Sequence, residues 1–382
     1  MRQLPLSKIH TNYVAHYNVY MDGRYDEIRF HLDHLSNDLR NLQSTQNQSL
    51  LSNLLGYVDE LKNNVRRFVT MNPSDMKTVV DKIAGHRIRK KISVNKIYLK
   101  SDELGFKFKR NVYDFETKDK KFNQYKKEIV WEKKFYEHIV DIMEYEKSKK
   151  EICDIYRKMG LKTCVYCNAQ YAIGFENGKE KYASFEFDHF YDKSEWPCFA
   201  SSFYNLQPSC GSCNRRKLAN RYHFCLYSCS EFDLDSVKFQ IPWKLFVVFW
   251  QKPQKNLLKI DIKPTHVVRD KISKARKKRI EREKKLICDE FVEKLHLKSL
   301  YQEHCDEIEK ALVRVKSNTL SYQNQLKKTY QNRTLQTFMS FHEFLYGFSK
   351  EKKDVHKQPL TKVKQDVFDQ LSEIKSFGKR VE

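Results

Sequence analysis

The stretch FEFDHFYDKSEWPCFASSFYNLQPSCGSCNRRK, residues 185–217, combines an Asp-His pair, a Tyr-Asn-Leu segment, three cysteines and a basic end. Two of these cysteines have a C-x2-C spacing, and the same spacing occurs upstream in CVYC, residues 164–167. Each C-x2-C turn, or knuckle, supplies two thiolates, and two knuckles complete the tetrahedron that zinc prefers. The pattern predicts one closed, structural Zn²⁺ site whose ligands are Cys164, Cys167, Cys210 and Cys213. The alternative, four ordinary reduced cysteines, requires two such spacings to arise by chance.

The residues around the second knuckle predict a strand, a loop, a second strand and a helix. Asp188-His189 ends the first strand, Tyr204-Asn205-Leu206 is typical of the second, and the helix begins at the segment CNRRK, residues 213–217. Before them, residues 171–187 indicate a hairpin in which Asn177-Gly178 forms a two-residue turn. The second strand of that hairpin is expected to lead directly into the Asp-His pair.

This order of elements places Asp188 and Asn214 on opposite sides of a groove. An aspartate and an asparagine offer oxygen ligands, which suit Mg²⁺ or Mn²⁺ better than a second zinc. A divalent ion there would neutralise the charge that develops on a phosphate during hydrolysis, and His189 would take a proton from the attacking water. Asn205 is expected to orient the strand through hydrogen bonds from its side chain to the backbone.

The motifs DHF, YNL and CNRRK, set between and just after two C-x2-C knuckles, resemble the HNH endonuclease family. The resemblance covers about 55 residues and implies a treble-clef-like ββα-metal module. It implies that His189 is the general base, that Asp188 and Asn214 hold the catalytic ion, and that Asn205 is the orienting residue. The chain departs from the pattern in one place, since the last position of the motif is Asn214 instead of histidine.

A weaker resemblance involves two segments, GFSKEKKDVHKQPLTKVKQDV and KLHLKSLYQEH. They look like the C-terminal region of HNH nucleases that act beside an SMC-like ATPase in Septu-type antiphage defence, including those attached to some retrons. This likeness implies a partner ATPase and a defence role.

The charge balance favours a polyanionic partner. The 382 residues include 72 Lys and Arg against 49 Asp and Glu, a formal net charge of +23, and nucleic acid, DNA first, fits this excess. The candidate phosphate contacts near the motif are Lys193, Arg215, Arg216 and Lys217. The basic run at residues 271–285 is either a solvated helical face or a surface that binds the nucleic-acid backbone.

A membrane partner is disfavoured because the best apolar run, LFVVFW at residues 245–250, is far shorter than the roughly 20 residues of a spanning helix. We expect this run to be a buried strand. The N-terminal residues lack the apolar segment and cleavage site of a secretory signal, so the expected location is cytoplasmic.

The sequence predicts an α+β, mainly helical chain with a central zinc-stapled module and helical flanks. The expected regions are 1–121, mostly helical and of unknown role; 122–232, a long helix up to Gly160 followed by the HNH module with its core at 164–220; and 233–382, a short extended segment followed by basic helices. The predicted function is a metal-dependent endonuclease. Two alternatives stay open, a non-catalytic zinc module that binds nucleic acid and a protein that assembles a complex.

Overall fold

The computed structural model describes residues 1–9, 13–41, 48–85, 98–99, 133–178, 180–218, 220–230, 234–254, 256–266, 272–330 and 339–378. Within them the chain is α+β and mainly helical, as the sequence predicts. The helices are α1 Leu6–Ile9, α2 Ala15–Asp22, α3 Tyr25–Asn41, α4 Gln48–Thr70, α5 Pro73–Gly85, α6 Phe135–Ile142, α7 Tyr145–Lys158, α8 Gly211–Lys217, α9 Trp243–Gln251, α10 Lys274–Asp289, α11 Leu297–Glu303, α12 Cys305–Ser317, α13 Leu320–Tyr330, α14 Phe341–Tyr346 and α15 Thr361–Gly378.

The strands of the described residues pair two by two. They are β1 Leu4–Pro5, β2 Tyr98–Leu99, β3 Lys133–Lys134, β4 Gly174–Asn177, β5 Glu180–Ala183, β6 Glu186–His189, β7 Leu206–Ser209, β8 Tyr227–Ser228, β9 Val237–Gln240 and β10 Asp261–Pro264. β1 runs parallel to β8, whereas β2 with β3, β4 with β5, and β9 with β10 are antiparallel. β6 pairs with β7, so the strand that carries the Asp-His pair lies beside the strand that leads to the second knuckle.

The chain divides into two compact units. Unit 1 comprises Met1–Tyr13, Lys150–Phe190 and Gln207–Glu382, and unit 2 comprises Val14–Lys149 and Tyr191–Leu206. None of the helices in the described residues is long and apolar enough to cross a lipid bilayer. The three regions expected from the sequence stay a prediction.

Unit 2 is built on α3 and α4. Their buried apolar side chains recur every three or four residues, which gives each helix one apolar face. These side chains are Ile28, Leu32, Leu35 and Leu39 in α3, and Leu54, Val58, Leu61 and Val65 in α4. Each one contributes about 1.5–3 kcal/mol by leaving water, so this pair of helices accounts for much of the core of unit 2.

In unit 1, α15 covers the edge of β9. The side chain of Asp366 accepts a hydrogen bond from the backbone N–H of Phe239 at 2.9 Å. Gln370 accepts from the N–H of Ile241 at 3.0 Å and donates to its carbonyl at 2.8 Å. These bonds satisfy backbone groups that an exposed edge strand would leave open.

The prediction of one long helix is wrong. The expected long helix ends at Ile142 and resumes at Tyr145, because Glu144 adopts a left-handed conformation with a φ of 55°. Its carboxylate is paired with Arg24 at 2.6 Å and with Lys147 at 2.5 Å, partners that the local sequence does not reveal. The part of the prediction at residues 122–132 lies outside the described residues.

The apolar run LFVVFW forms helix α9 instead of a strand. Phe246 and Phe249 are buried, whereas Trp243 and Val248 are exposed, which is the spacing of a helix with one buried side. Six apolar residues do not distinguish a strand from a helix by periodicity. The predicted extended segment is thus divided into β9, α9 and β10.

The hairpin before the Asp-His pair is confirmed, but its turn and its end differ from the prediction. Asn177 still pairs with Glu180 in the ladder, so the turn begins at Gly178, whose φ is 62°. The second strand ends at Ala183, and β6 is a separate strand. Gly160 has a φ of 70° just after α7, as expected of a helix terminator.

We predict that His356 makes unit 1 sensitive to acid. Its Nε2 donates to the carbonyl of Arg2 at 2.8 Å, and burial lowers its pKa from 6.5 to about 4. Between these two values the unfolded chain binds a proton that the folded chain does not, so stability falls as pH falls from 6.5 towards 4, by about 1.4 kcal/mol per pH unit. Urea unfolding of His356→Gln across this window should show a dependence of the unfolding free energy on pH that is shallower by that amount.

His266→Gln is the matched control, since His266 is exposed. Its pH dependence should equal that of the wild type. An unchanged slope in His356→Gln would contradict the assignment.

Candidate metal centre and adjoining Asp-His strand

The four predicted zinc ligands come together in unit 1. The sulfur atoms of Cys164, Cys167, Cys210 and Cys213 all lie within 4.8 Å of one another, and all four residues are buried. This is the one group of three or more potential metal ligands of the His, Cys, Asp and Glu types within the described residues.

The two knuckles differ in backbone structure. In the first, the N–H of Asn168 donates to the carbonyl of Cys164 at 2.8 Å, and Asn168 itself has a φ of 50°. In the second, Cys210 immediately precedes α8 and Cys213 lies in its first turn, where the N–H of Asn214 donates to the carbonyl of Cys210 at 3.0 Å. The knuckles are therefore a tight turn and a helix start.

The cluster fits a structural zinc ion. Tetrahedral Zn–S bonds of about 2.3 Å place the sulfurs about 3.8 Å apart, and the sulfurs of Cys167 and Cys210 are 4.0 Å apart. Burial raises the pKa of the Cys164 thiol well above its usual value, so a dication is needed to stabilise four thiolates in this place. With four protein ligands the site is closed and has no position for a water nucleophile.

The first knuckle is fixed by the C-terminal part of unit 1. Asn168 donates from its side chain to the carbonyl of Val355 at 2.7 Å and accepts from the N–H of Lys362 at 3.0 Å. The hydroxyl of Tyr301 donates to the carbonyl of Cys167 at 2.6 Å. The cysteine pattern alone gives no sign of these contacts.

Asp188 lies on β6 and is only 3% exposed. One of its carboxylate oxygens accepts from the ammonium of Lys217 at 2.9 Å, and the other accepts from the hydroxyl of Tyr166. Burial and the Asp188 carboxylate raise the pKa of Tyr166 well above 10, so its phenol stays protonated and can donate. The residue predicted to bind a catalytic ion is thus paired with two protein donors.

His189 is the last residue of β6 and is 7% exposed. Its backbone carbonyl accepts a second hydrogen bond from the ammonium of Lys217, at 2.9 Å. Lys217 was predicted to contact phosphate, but it is 1% exposed and bonds to two consecutive residues of β6. From the end of α8, Lys217 therefore holds β6 inside the protein, a role that the sequence did not suggest.

Asn214 bonds to a different carboxylate. Its amide nitrogen donates to Glu186 at 2.7 Å, and Arg215 lies 3.9 Å from the other oxygen of Glu186. Glu186 and Asp188 are two residues apart on β6 and thus share one side of the strand. The two predicted ion ligands, Asp188 and Asn214, are therefore bonded to separate partners.

Asn205 lies in a 3₁₀ turn, Phe203–Asn205, where the sequence predicted a strand. Its side chain is fully buried and accepts from the N–H of Tyr191 at 2.7 Å. It also donates to the carbonyls of Tyr191 at 3.0 Å and Phe199 at 3.1 Å. Asn205 thus fixes the backbone two residues after His189.

The other predicted phosphate contacts differ in exposure. Arg215 and Arg216 lie at the surface, although Arg216 also donates to the carbonyl of Leu295 at 2.9 Å. Lys193 is half-buried, with its ammonium 4.9 Å from the centre of the Tyr145 ring. Of the four predicted phosphate contacts, the two arginines are thus the exposed ones.

Sequence reasoning missed Tyr166 and Glu186. Tyr166 lies between the two cysteines of the first knuckle, and Gln207 of β7 donates to its hydroxyl at 3.0 Å. The signal for Glu186 was available, since a residue two positions before Asp188 on a strand shares its face. For Tyr166 no sequence signal exists, because the contact depends on how the knuckle folds back on β6.

Comparisons with known proteins give no relative for this chain. No protein-family model matches it, and neither the search of curated proteins nor the search of solved structures found a significant match.

We predict that Cys213→Ser loses bound zinc and thermal stability together, because the free energy of binding a structural zinc contributes to folding. Elemental analysis of the wild type should find about one equivalent of zinc, and thermal unfolding should show a lower midpoint for the variant. Cys229→Ser, which changes an exposed cysteine outside the cluster, should retain both properties. Wild-type protein with far less than one equivalent of zinc would contradict the four-cysteine site.

We predict that Tyr166→Phe destabilises unit 1 by about 1–3 kcal/mol, since buried polar atoms of Asp188 and Gln207 lose their partner. The zinc content should not change, because the cysteines are untouched. Chemical denaturation measures the difference, and Tyr182→Phe is the control because Tyr182 is 44% exposed. Equal stability of Tyr166→Phe and wild type would show that the hydroxyl does not support Asp188.

Proposed function

We propose that the chain is a metal-dependent endonuclease of the HNH type that hydrolyses phosphodiester bonds. The observation that supports this most is the arrangement of β6, β7 and α8 beside the four-cysteine cluster. The Asp-His pair ends β6, Asn205 immediately precedes β7, and Asn214 lies on α8. This order of elements and residues agrees with the ββα arrangement that the resemblance implies.

In this proposal His189 takes the proton from the attacking water. An imidazole suits this task because its charge changes near neutral pH. The ammonium of Lys217 holds the carbonyl of His189 at 2.9 Å, and Asn205 fixes the backbone that follows at Tyr191. The backbone of the histidine is thus fixed at its own carbonyl, and general-base catalysis requires a base in a defined position.

The proposed ligands of the catalytic Mg²⁺ or Mn²⁺ are Asp188 and Asn214, and Glu186 offers a further carboxylate next to Asn214. Oxygen donors of this kind suit a hard divalent cation, which supplies charge stabilisation to the phosphate when bound. Glu186 and Asn214 are accessible, but Asp188 would have to exchange the ammonium of Lys217 for the ion. Lys217 and the ion therefore compete for the same carboxylate.

The preferred substrate is DNA, because of the family resemblance and the net charge of +23. Arg215 and Arg216 are the proposed phosphate contacts beside the site. Antiphage defence with an SMC-like ATPase as partner, and a cytoplasmic location, belong to this proposal on the strength of the sequence motifs.

One observation favours a second candidate, a non-catalytic zinc module that binds nucleic acid. Both oxygens of Asp188 are engaged inside the protein by Lys217 and Tyr166. A purely structural aspartate would have these same bonds, so the ion pair is compatible with a module that binds without cleaving.

Plasmid cleavage distinguishes the two candidates. We predict that the wild type cleaves supercoiled plasmid DNA in the presence of Mg²⁺ or Mn²⁺. His189→Ala should reduce the cleavage rate by about 10²–10⁴-fold through loss of the general base. His266→Ala, at an exposed histidine of unit 1, should retain full activity. Zinc content and thermal unfolding should be equal in all three proteins.

Equal cleavage by wild type and His189→Ala would reject the catalytic assignment. Wild-type protein that binds DNA but leaves it intact with either ion would favour the non-catalytic module.

A further inference from the structure

Helix α10 carries a row of exposed cations along one side. Its N-terminal part contains most of the basic run seen in the sequence, and at 100° per residue four of its cations fall within an arc of about 80°. This cationic stripe consists of Lys274, Lys278, Arg282 and Lys285, all of them exposed. With a rise of 1.5 Å per residue the stripe is about 17 Å long.

The members of the stripe form no ion pair with any other described residue, whereas many other exposed lysines of unit 1 do. Lys310 lies 2.7 Å from Glu307, Lys357 lies 2.9 Å from Asp354, and Lys298 lies 3.3 Å from Asp261. A solvated basic face usually has such neighbours. The stripe therefore has unneutralised positive charge on a rigid element.

Of the three acidic residues of α10, one lies away from the stripe. Glu283 projects from the opposite side of the helix to Lys274, whereas the half-buried Glu281 lies about 20° outside the arc of the stripe. Asp289 lies on the side of the stripe, but one turn beyond Lys285 at the end of the helix. In the part of the chain that the structure describes, neither Glu281 nor Asp289 forms an ion pair with a cation of the stripe.

The end of the basic helix is anchored next to α8. A π-helical turn, Glu290–Lys294, continues α10 directly, and Glu290 accepts from the N–H of His223 at 2.9 Å. The carbonyl of Leu295 accepts from Arg216 at 2.9 Å. The stripe therefore extends away from the helix that carries Asn214, within the same unit.

We propose that the cationic stripe of α10 binds the phosphate backbone of a nucleic-acid duplex. Phosphates follow one another every 3.4 Å along each strand, so four cations over about 17 Å match about five base pairs. Contact with phosphates positions a duplex without reading its sequence. Binding of a duplex to the stripe does not depend on the proposed nuclease activity. Only the further step, in which the stripe guides substrate to the Asp-His strand, rests on that proposed function.

An anionic membrane fits the stripe less well. A helix that lies on a membrane uses an apolar face next to its cations. In α10 the apolar residues Ile287 and Cys288 are buried in the protein, Ile280 is half-buried, and Leu286 is the one large apolar side chain of the helix that is exposed. A single leucine is not the apolar face that a lipid surface would need.

The test compares two full-length variants that lose four charges each. The stripe variant replaces Lys274, Lys278, Arg282 and Lys285 by Gln, which preserves helix propensity. The control variant replaces Lys238, Lys298, Lys310 and Lys357, four lysines that have carboxylate partners, by Gln. Binding to a duplex of about 30 base pairs, several times the length of the stripe, is measured by fluorescence anisotropy at increasing salt, without added Mg²⁺ or Mn²⁺.

For the stripe variant we expect the slope of log K against log salt to become shallower by about 3–4, since each lost phosphate contact contributes about 0.9. The control variant should stay near the wild-type slope. A third variant, with Arg at the three lysines and Lys at Arg282, keeps the charges and should bind as the wild type does. Thermal unfolding of the Gln variant at the wild-type midpoint shows that a loss of binding comes from charge and not from misfolding.

Equal losses in the stripe and control variants would overturn the proposal, because net charge alone would then account for binding. An unchanged salt slope in the stripe variant would also overturn it. So would a stripe variant that keeps duplex binding but loses binding to vesicles that contain phosphatidylserine, measured in parallel. None of these outcomes depends on cleavage. If the nuclease is also active, the stripe variant should have a raised KM with an unchanged kcat, whereas His189→Ala lowers kcat without altering the salt slope.

Discussion

The arrangement of the candidate site depends on four sulfur atoms held within 4.8 Å of one another. The two knuckles are 42 residues apart in the chain, so their contact determines where the intervening strands meet. Cys213 also sets the rotation of α8, because residues four apart lie on one face of a helix. Lys217 is therefore placed on the same buried side as Cys213, facing β6, and Asn214 lies one residue further round.

The ion pair between Lys217 and Asp188 then fixes α8 against β6. Burying two charges costs several kcal/mol per ion unless further hydrogen bonds compensate. Here the carbonyl of His189 and the hydroxyl of Tyr166 provide them. Removing one partner alone would leave an uncompensated charge and cost about 3–5 kcal/mol. The pair thus joins α8 to β6, and Asp188 also connects β6 to the first knuckle through Tyr166.

The local elements of this site could be predicted from the sequence, whereas their partners could not. The C-x2-C spacing requires only a tight turn, and the four cysteines come together as expected. A helix at the second knuckle was likewise expected, although α8 starts at Gly211, two residues before the predicted start. The role of Lys217 was missed because a lysine after two arginines is usually exposed, and its burial depends on Asp188, 29 residues earlier. Long-range pairing of this kind leaves no periodic pattern in the sequence.

The errors in the fold have the same origin. Glu144 breaks a helix that its neighbours favour, because ion pairs with Arg24 and Lys147 hold it in a left-handed conformation. The run LFVVFW was too short for its period to decide between strand and helix, and the packing of Phe246 and Phe249 made it a helix. In both cases tertiary contacts outweighed local preference, which is where sequence patterns are least informative.

The binding of a polyanion depends on where the unpaired cations of the chain lie as well as on its net positive charge. Around α7 and the hairpin, Arg157, Lys158 and Lys181 are all paired with carboxylates, so that surface offers little to a polyanion. On α10 the four cations of the stripe form no ion pair with another described residue, and the helix is fixed at both ends. The side chain of Ser273 caps its start by accepting from the N–H of Arg276 at 3.4 Å, and Glu290 bonds to His223 at its end. A preorganised row of charges loses less conformational entropy on binding than a flexible basic tail does. Its effect on binding should therefore exceed that of the same number of charges placed elsewhere on the surface.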